Sequence, residues 1–234
     1  MGRKSRAIED YFHCIDTPMK AYLLGLLAAD GNVYVNKVRA ENKISLKLHI
    51  NDESLVRRAR DALAPTVNFT YPKPHYIRFE VCSKQMMLDL AKYGVVPRKT
   101  YNLPWPAALP EDMTVPFLLG YFDGDGSIGV YKPRPEKGMY EPYLQWGIIG
   151  HYDFLLDARK RILSWCGVEL APPRLPSAKT SFLYRIGTSG EKAEAVDRML
   201  NASNLGLPRK HIPGVWERYR ARITANQKKD RTSE

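Results

Sequence analysis

The sequence predicts an α+β fold made of two pseudo-symmetric units, each running helix, hairpin, helix, hairpin, helix (αββαββα). Three observations predict it. A nine-residue segment occurs twice, as Leu23-Leu24-Gly25-Leu26-Leu27-Ala28-Ala29-Asp30-Gly31 and, 95 residues later, as Leu118-Leu119-Gly120-Tyr121-Phe122-Asp123-Gly124-Asp125-Gly126. A second pair keeps the same order: Val96-Pro97-Arg98-Lys99 and Leu207-Pro208-Arg209-Lys210. Between the members of these pairs, apolar residues alternate between helical and two-residue spacing, the signature of helices and half-buried strands.

In the first unit, Thr17 and Pro18 supply a helix N-cap and a first-turn proline, and Gly31 supplies a stop. Strands follow over 32–38 and 43–50. In the second of them Ile44, Leu46, Leu48 and Ile50 alternate with Lys43, Ser45, Lys47 and His49. Residues 52–63 read as an amphipathic helix with Leu55, Val56, Ala59, Ala62 and Leu63 inward. Residues 76–81 alternate again, and 83–92 close the unit. The first repeat with its basic leader therefore occupies 1–99, and the proline-rich stretch 100–113 reads as a linker. In the second repeat, 114–226, strands are expected at 127–131 and 143–149, flanking a proline- and charge-rich loop over 132–142. A helix over 152–165, a strand over 182–186, a helix over 191–201 and a last helix over 214–226 complete it. Residues 227–234 read as a polar tail.

Lys plus Arg number 36 against 25 Asp plus Glu, a net charge of +11, which favours a polyanionic partner and nucleic acid first. No run of 18 apolar residues exists, so no membrane partner is expected. The basic residues 1–6 lead into no apolar signal core. Cys14, Cys82 and Cys166 are odd in number and form no C-x-x-C pair, which suits an intracellular, reducing compartment, cytoplasm or organelle matrix alike.

The repeated segment has its own chemistry. Asp30 and Asp125 each end an expected helix, where unpaired carbonyls carry partial negative charge. A carboxylate there is disfavoured unless a cation joins it, and carboxylate with carbonyl oxygens makes a hard-oxygen site suited to magnesium. Gly25 with Ala29, and Gly120 with Gly124, put small residues one turn apart, which lets two helix backbones approach closely. Packed side by side, the two helices would bring both aspartates to one end of their seam, an arrangement suited to metal-assisted phosphodiester hydrolysis. A single helix ending in Asp-Gly is usually only a packed helix with a turn; two copies at domain-like spacing in a basic chain weigh against that.

Both segments resemble the LAGLIDADG motif of homing endonucleases, and their spacing resembles the single-chain, two-repeat members. The resemblance spans roughly residues 17–213, with only the motif and Pro-Arg-Lys segments specific. It implies motif helices packed at the inter-repeat interface and saddle-shaped antiparallel sheets along the DNA major groove. It implies that Asp30 and Asp125 bind the catalytic divalent ions, assisted by backbone oxygens of Ala29 and Gly124. The implied cofactor is Mg2+, or another divalent cation such as Mn2+, with Ca2+ as a non-catalytic substitute. Lys99 and Lys210 match a basic residue near the scissile phosphates, where a lysine stabilises developing phosphorane charge or orients water. Asp52 and His151 follow the second strand of their units and are candidates for the water network; a register shifted by one would put Gly150 in place of His151. The first motif has Ala28 where an acid is common, and the second has Asp123, so the halves are inequivalent.

The implied activity is site-specific hydrolysis of both strands of a long, asymmetric double-stranded DNA site by a monomer. Expected DNA contacts are Asn32, Tyr34, Asn36, Lys43, Ser45, Lys47, His49 and Arg78, with Ser127, Tyr131, Gln145 and Arg185 in the second unit. Lys132, Arg134 and Lys137 in the long loop are expected on phosphates. The alternatives are a catalytically silent DNA-binding regulator or an RNA-splicing maturase on the same scaffold, for which RNA is a further partner.

Overall fold

A computed structural model describes residues 7–36, 41–133, 141–176 and 182–231. The first unit contains α1 (Pro18–Ala29), β1 (Gly31–Asn36), β2 (Glu41–His49), α2 (Glu53–Leu63), β3 (Thr70–Lys73), β4 (Tyr76–Cys82) and α3 (Lys84–Lys92). The second contains α4 (Thr114–Asp125), β5 (Gly126–Tyr131), β6 (Tyr143–Gly150), α5 (Tyr152–Cys166), β7 (Tyr184–Ser189) and α6 (Glu191–Leu200), followed by α7 (Ile212–Arg231). Each unit folds an antiparallel sheet, in the order β1-β2-β4-β3 and β5-β6-β7.

Why these residues form these elements is mostly local. Thr17 caps α1 by accepting from the Lys20 amide at 3.3 Å, with Pro18 in the first turn. Ser83 caps α3 in the same way through the Met86 amide. In β4, Ile77, Phe79 and Val81 face the core, while Tyr76, Arg78 and Glu80 face the other way. Of α2, Leu55, Val56, Ala59 and Leu63 are buried. Helix α1 differs: every residue from Ala21 to Ala28 is buried, so past its first turn it has no solvent face. A helix apolar all round belongs in the centre of a fold, and α1 packs there against α4, itself buried from Pro116 to Asp123.

Several expectations about secondary structure change. The strand expected at 182–186 forms as Tyr184–Ser189. Among the described residues the second sheet has three strands where the first has four, and beside them Arg174 and Arg185 exchange backbone hydrogen bonds in a single bridge. The stretch 100–113 is fastened to the core by Leu103, Trp105, Leu109 and Met113; the Trp105 ring stacks on Phe154 and meets Phe117 edge-on. Helix α7 begins at Ile212 and continues to Arg231, past residue 226 where the sequence set its end, and its first turns pack beside β5 and the turn Pro208–Lys210.

Candidate metal centre and nucleic-acid interface

The site grows from the contact between α1 and α4. A Cβ added at Gly25 would lie 1.9 Å from the Phe117 carbonyl oxygen, and one at Gly120 would lie 1.9 Å from that of Tyr22. The two glycines occupy equivalent places, as do the two carbonyls, so each helix backbone rests in a notch in the other. Further along, a Cβ at Gly124 would sit 2.4 Å from the Ala29 Cβ and 3.1 Å from Asp30 Oδ2. The close approach thus carries through to the C-terminal ends, where Asp30 lies against the opposite helix.

Asp30 is the C-cap of α1, and Asp125 is the last residue of α4. Asp30 keeps a face open to solvent and Asp125 is half-buried. Surrounding protein nevertheless raises both pKa values by desolvation. For Asp125 the second cause is the charge of Asp30, and its pKa reaches about 6. Lys99 and Lys210 lower the pKa of both aspartates, so the lysines act on the same site.

The lysines are placed differently from surface phosphate contacts. Both are buried. Lys99 Nζ donates to the carbonyls of Ala29 at 2.9 Å and Gly31 at 2.7 Å. Lys210 Nζ donates to Phe122, Asp123, Gly124 and Gly126 carbonyls at 2.6–3.4 Å. Each lysine therefore neutralises the negative end of its own unit's motif helix. Desolvation lowers both lysine pKa values, while the nearby aspartates oppose that shift.

The donor set fits a hard divalent cation. It offers two carboxylates whose repulsion a cation would relieve, with the carbonyls of Ala29 and Gly124 beside them. Those two carbonyls also accept from Lys99 and Lys210. Among the described residues, no three His, Cys, Asp or Glu side chains gather into a metal cage. Two carboxylates with backbone and water oxygens is a ligand supply typical of magnesium sites, which take further oxygens from substrate phosphates.

The two residues expected in the water network part company. Asp52 is buried, and both its oxygens accept from Arg209, at 2.6 Å each, so its carboxylate is committed to an ion pair. His151 holds the equivalent place before α5, half-buried and 3.8 Å from Asp153. Gly150 is excluded from that place: it ends β6, and a Cβ there would meet Tyr121 Oη at 2.6 Å.

Asp123, the acid peculiar to the second motif, is buried. Its Oδ2 accepts from Tyr22 Oη at 2.6 Å and from the Leu207 amide at 2.8 Å. At the offset of 95 residues, Tyr22 corresponds to Phe117 and Asp123 to Ala28. The polar pair across the seam has an apolar pair, Phe117 and Ala28, as its pseudo-symmetric counterpart.

The sheets carry the expected DNA contacts in cross-strand rows. On the first sheet, Asn32, Ser45 and Glu80 form one row and Tyr34, Lys43 and Cys82 another. Lys47 and Arg78 continue with Thr70, and His49 and Tyr76 with Lys73. Asn32, Tyr34, Lys47 and His49 are exposed and Arg78 is half-buried. Ser45 is a correction: it is buried, because a short side chain on a central strand is flanked by residues on both neighbouring strands. Lys43, also among the expected DNA contacts, is tied to Glu41 at 3.4 Å and to Glu80 at 3.2 Å, so its ammonium is already engaged. Asn36 ends β1, and Arg134 and Lys137 lie outside the described residues.

On the second sheet, Ser127, Tyr131 and Lys132 are exposed, and Gln145 and Arg185 are half-buried. Gly147 and Gly187 pair at its centre, and the Arg185 guanidinium lies across Gly147. Glu80, Tyr76, Tyr143 and Ser189 also lie in these rows, although they are not among the expected contacts. The alternation of β4 and β6 signalled the first three, whereas Ser189 lay beyond the expected strand end.

This geometry is the fold of LAGLIDADG homing endonucleases, in their single-chain, two-repeat form. The complex of the LAGLIDADG homing endonuclease I-GzeII with its DNA target superposes with a TM-score of 0.59 over 90% of this chain and 92% of that one, at 14% identity. The LAGLIDADG homing endonuclease I-SmaMI bound to cleaved DNA superposes with a TM-score of 0.56 over 91% of each chain, at 12% identity. I-SmaMI on an uncleavable DNA with a TTGT central four gives 0.55 over 83% and 85%, at 11% identity. No family model matches the sequence, and comparison with curated proteins gives no match.

Proposed function

We propose that this chain is a divalent-metal-dependent endonuclease that hydrolyses both strands of a long, asymmetric DNA site. The observation that carries the proposal is the meeting of Asp30 and Asp125 at the end of the α1–α4 seam, each beside a buried lysine. Asp30 and Asp125, with the carbonyls of Ala29 and Gly124, would hold Mg2+. When bound, the metal supplies an activated water and charge stabilisation at the scissile phosphates. Lys99 and Lys210 present fixed positive charge behind the carboxylates, where negative charge grows as phosphate is attacked. His151, half-buried before α5, would orient water on its side. The exposed polar rows of the two sheets read bases, and because they differ, the site is asymmetric. Both halves come from one chain, so a monomer suffices.

The rival reading is a catalytically silent DNA-binding regulator, or a splicing maturase that takes RNA, on the same scaffold. It leaves the paired carboxylates, kept at a cost in a desolvated place, without a task. Incubation with a complex DNA library and Mg2+, followed by sequencing of cut ends, separates the two. Discrete double-strand breaks at one long site, lost in Asp30→Asn and Asp125→Asn while binding persists, are expected. Enrichment of one bound sequence with no breaks would favour the silent reading, and full cutting by both variants would remove the aspartates from the site.

A further inference from the structure

The segment that carries Lys210 is fastened directly to the opposite repeat at two points, and at a third through Asp123 of its own motif helix. Arg58 of α2 donates to the Leu205 carbonyl at 2.7 Å. The Leu207 amide donates to the Asp123 oxygen that also holds Tyr22 of α1. Arg209 reaches Asp52 through Nε and Nη2, both at 2.6 Å. The carboxylate of this fork is buried, where charge-assisted bidentate pairs are strong and geometrically selective. Behind it, Arg218 Nη1 donates to the Arg209 carbonyl.

The segment that carries Lys99 is built differently. Arg98, the equivalent of Arg209, is exposed at φ 62°, and among the described residues it makes no ion pair. The place of Asp52 is taken by His151, which offers an imidazole in place of a carboxylate. Lys99 is held from within its own repeat, by the turn in which its amide donates to the Val96 carbonyl at 3.2 Å and by the end of α1.

We propose that Arg209 is a positioning residue for Lys210, acting through Asp52, so that one of the two strand cuts depends on a cross-repeat ion pair the other lacks. The proposal rests on the endonuclease reading above. Arg209 precedes Lys210 in one tight turn, so fixing its guanidinium fixes the direction from which the lysine enters beneath α4. Releasing it leaves Lys210 its four carbonyl partners and takes away the constraint that selects among them. Misplacement on the ångström scale is enough to slow chemistry without abolishing binding.

The test uses the full chain and its cleavage site on supercoiled plasmid, with the two strands labelled separately and Mg2+ saturating. Arg209→Ala is expected to slow one strand roughly 10- to 100-fold, as losses of supporting contacts typically do. The other strand should change less than about threefold, on the same principle, and nicked circles should accumulate. The slowed strand should be the one that Lys210→Ala slows, through kcat, with DNA affinity nearly unchanged. Arg209→Lys keeps the charge and loses the fork, and should recover part of the rate. Arg98→Ala should leave both strands at the parent rate. Equal slowing of both strands, unchanged rates, or slowing of the strand that Lys99→Ala affects would overturn the proposal while leaving the endonuclease reading intact. A parent chain that cuts nothing would overturn both. Should Arg209→Ala fail to fold, the Asp52→Asn/Arg209→Gln double variant removes the charges and keeps a hydrogen-bonding pair for the same comparison.

Discussion

Asn in place of Asp125 should make the metal-free protein more stable above about pH 6, although it removes a residue the proposed chemistry needs. The sign follows from linkage. The folded carboxyl has a pKa of about 6, and an unfolded aspartate titrates near 3.9. Between those values the folded state binds more protons, so stability falls as pH rises, and the penalty is fully present above about pH 6. The interval between the two values converts to about 3 kcal/mol. Asp125 is only half-buried, so water screens part of this, and about 1–3 kcal/mol is the range to expect. For a chain of this size that is a rise in Tm of about 2–10 °C. The assay is thermal unfolding with chelator present, for parent and Asp125→Asn, from pH 4 to pH 8. The gain should be largest at pH 7–8 and vanish toward pH 4. A variant equal to the parent at pH 8, or less stable, would show that burial and Asp30 do not strain this carboxylate. Adding Mg2+ should stabilise the parent more than the variant.

Gly25→Val, or Gly120→Val, should cost about 3 kcal/mol or more in urea unfolding, because the new atoms meet backbone that cannot rotate away; a loss under about 1 kcal/mol would contradict the seam geometry. Tyr22→Phe removes one of the two donors to buried Asp123 and should cost about 1.5–3 kcal/mol by the same measurement. An unchanged midpoint would mean the hydroxyl contributes nothing. Lys132→Ala should lower the slope of log affinity against log salt by about one, as expected of a phosphate contact. Asn32→Ala should leave the slope alone and relax preference at one base position, and the reverse pattern would exchange the two assignments.

The parts legible in the sequence are those set by neighbours along the chain. Thr17 and Pro18 start α1 wherever that helix goes, and the alternation in β2 and β4 declares a two-faced strand by itself. The repeat also made Asp30 and Asp125 a pair before any contact was seen. What the sequence did not declare depends on partners far along the chain. Asp52 and Arg209 are 157 positions apart, and nothing near either marks it as half of an ion pair. Burial of Lys99 and Lys210 was hidden for a similar reason: a lysine beside proline and arginine looks solvated until a helix end arrives above it. Ser45 shows the limit of alternation, which assigns a face without saying how deeply neighbouring strands cover a short side chain.

The exchange of Tyr22 and Asp123 for Phe117 and Ala28 across the pseudo-dyad acts as a mating code. Backbone notches at Gly25 and Gly120 are self-complementary, so they would accept two identical repeats as readily as two different ones. The side chains would not. Two first repeats joined this way would set a Tyr22 hydroxyl against Ala28 twice, burying two hydroxyls with nothing to receive them. Two second repeats would set Asp123 against Phe117 twice, burying two carboxylates without the hydroxyl that now donates to one of them, which costs several kcal/mol each. Only the unlike pairing gives the buried hydroxyl an acceptor and the buried carboxylate its hydroxyl donor, so fragments cut between residues 100 and 113 should recognise each other in preference to themselves.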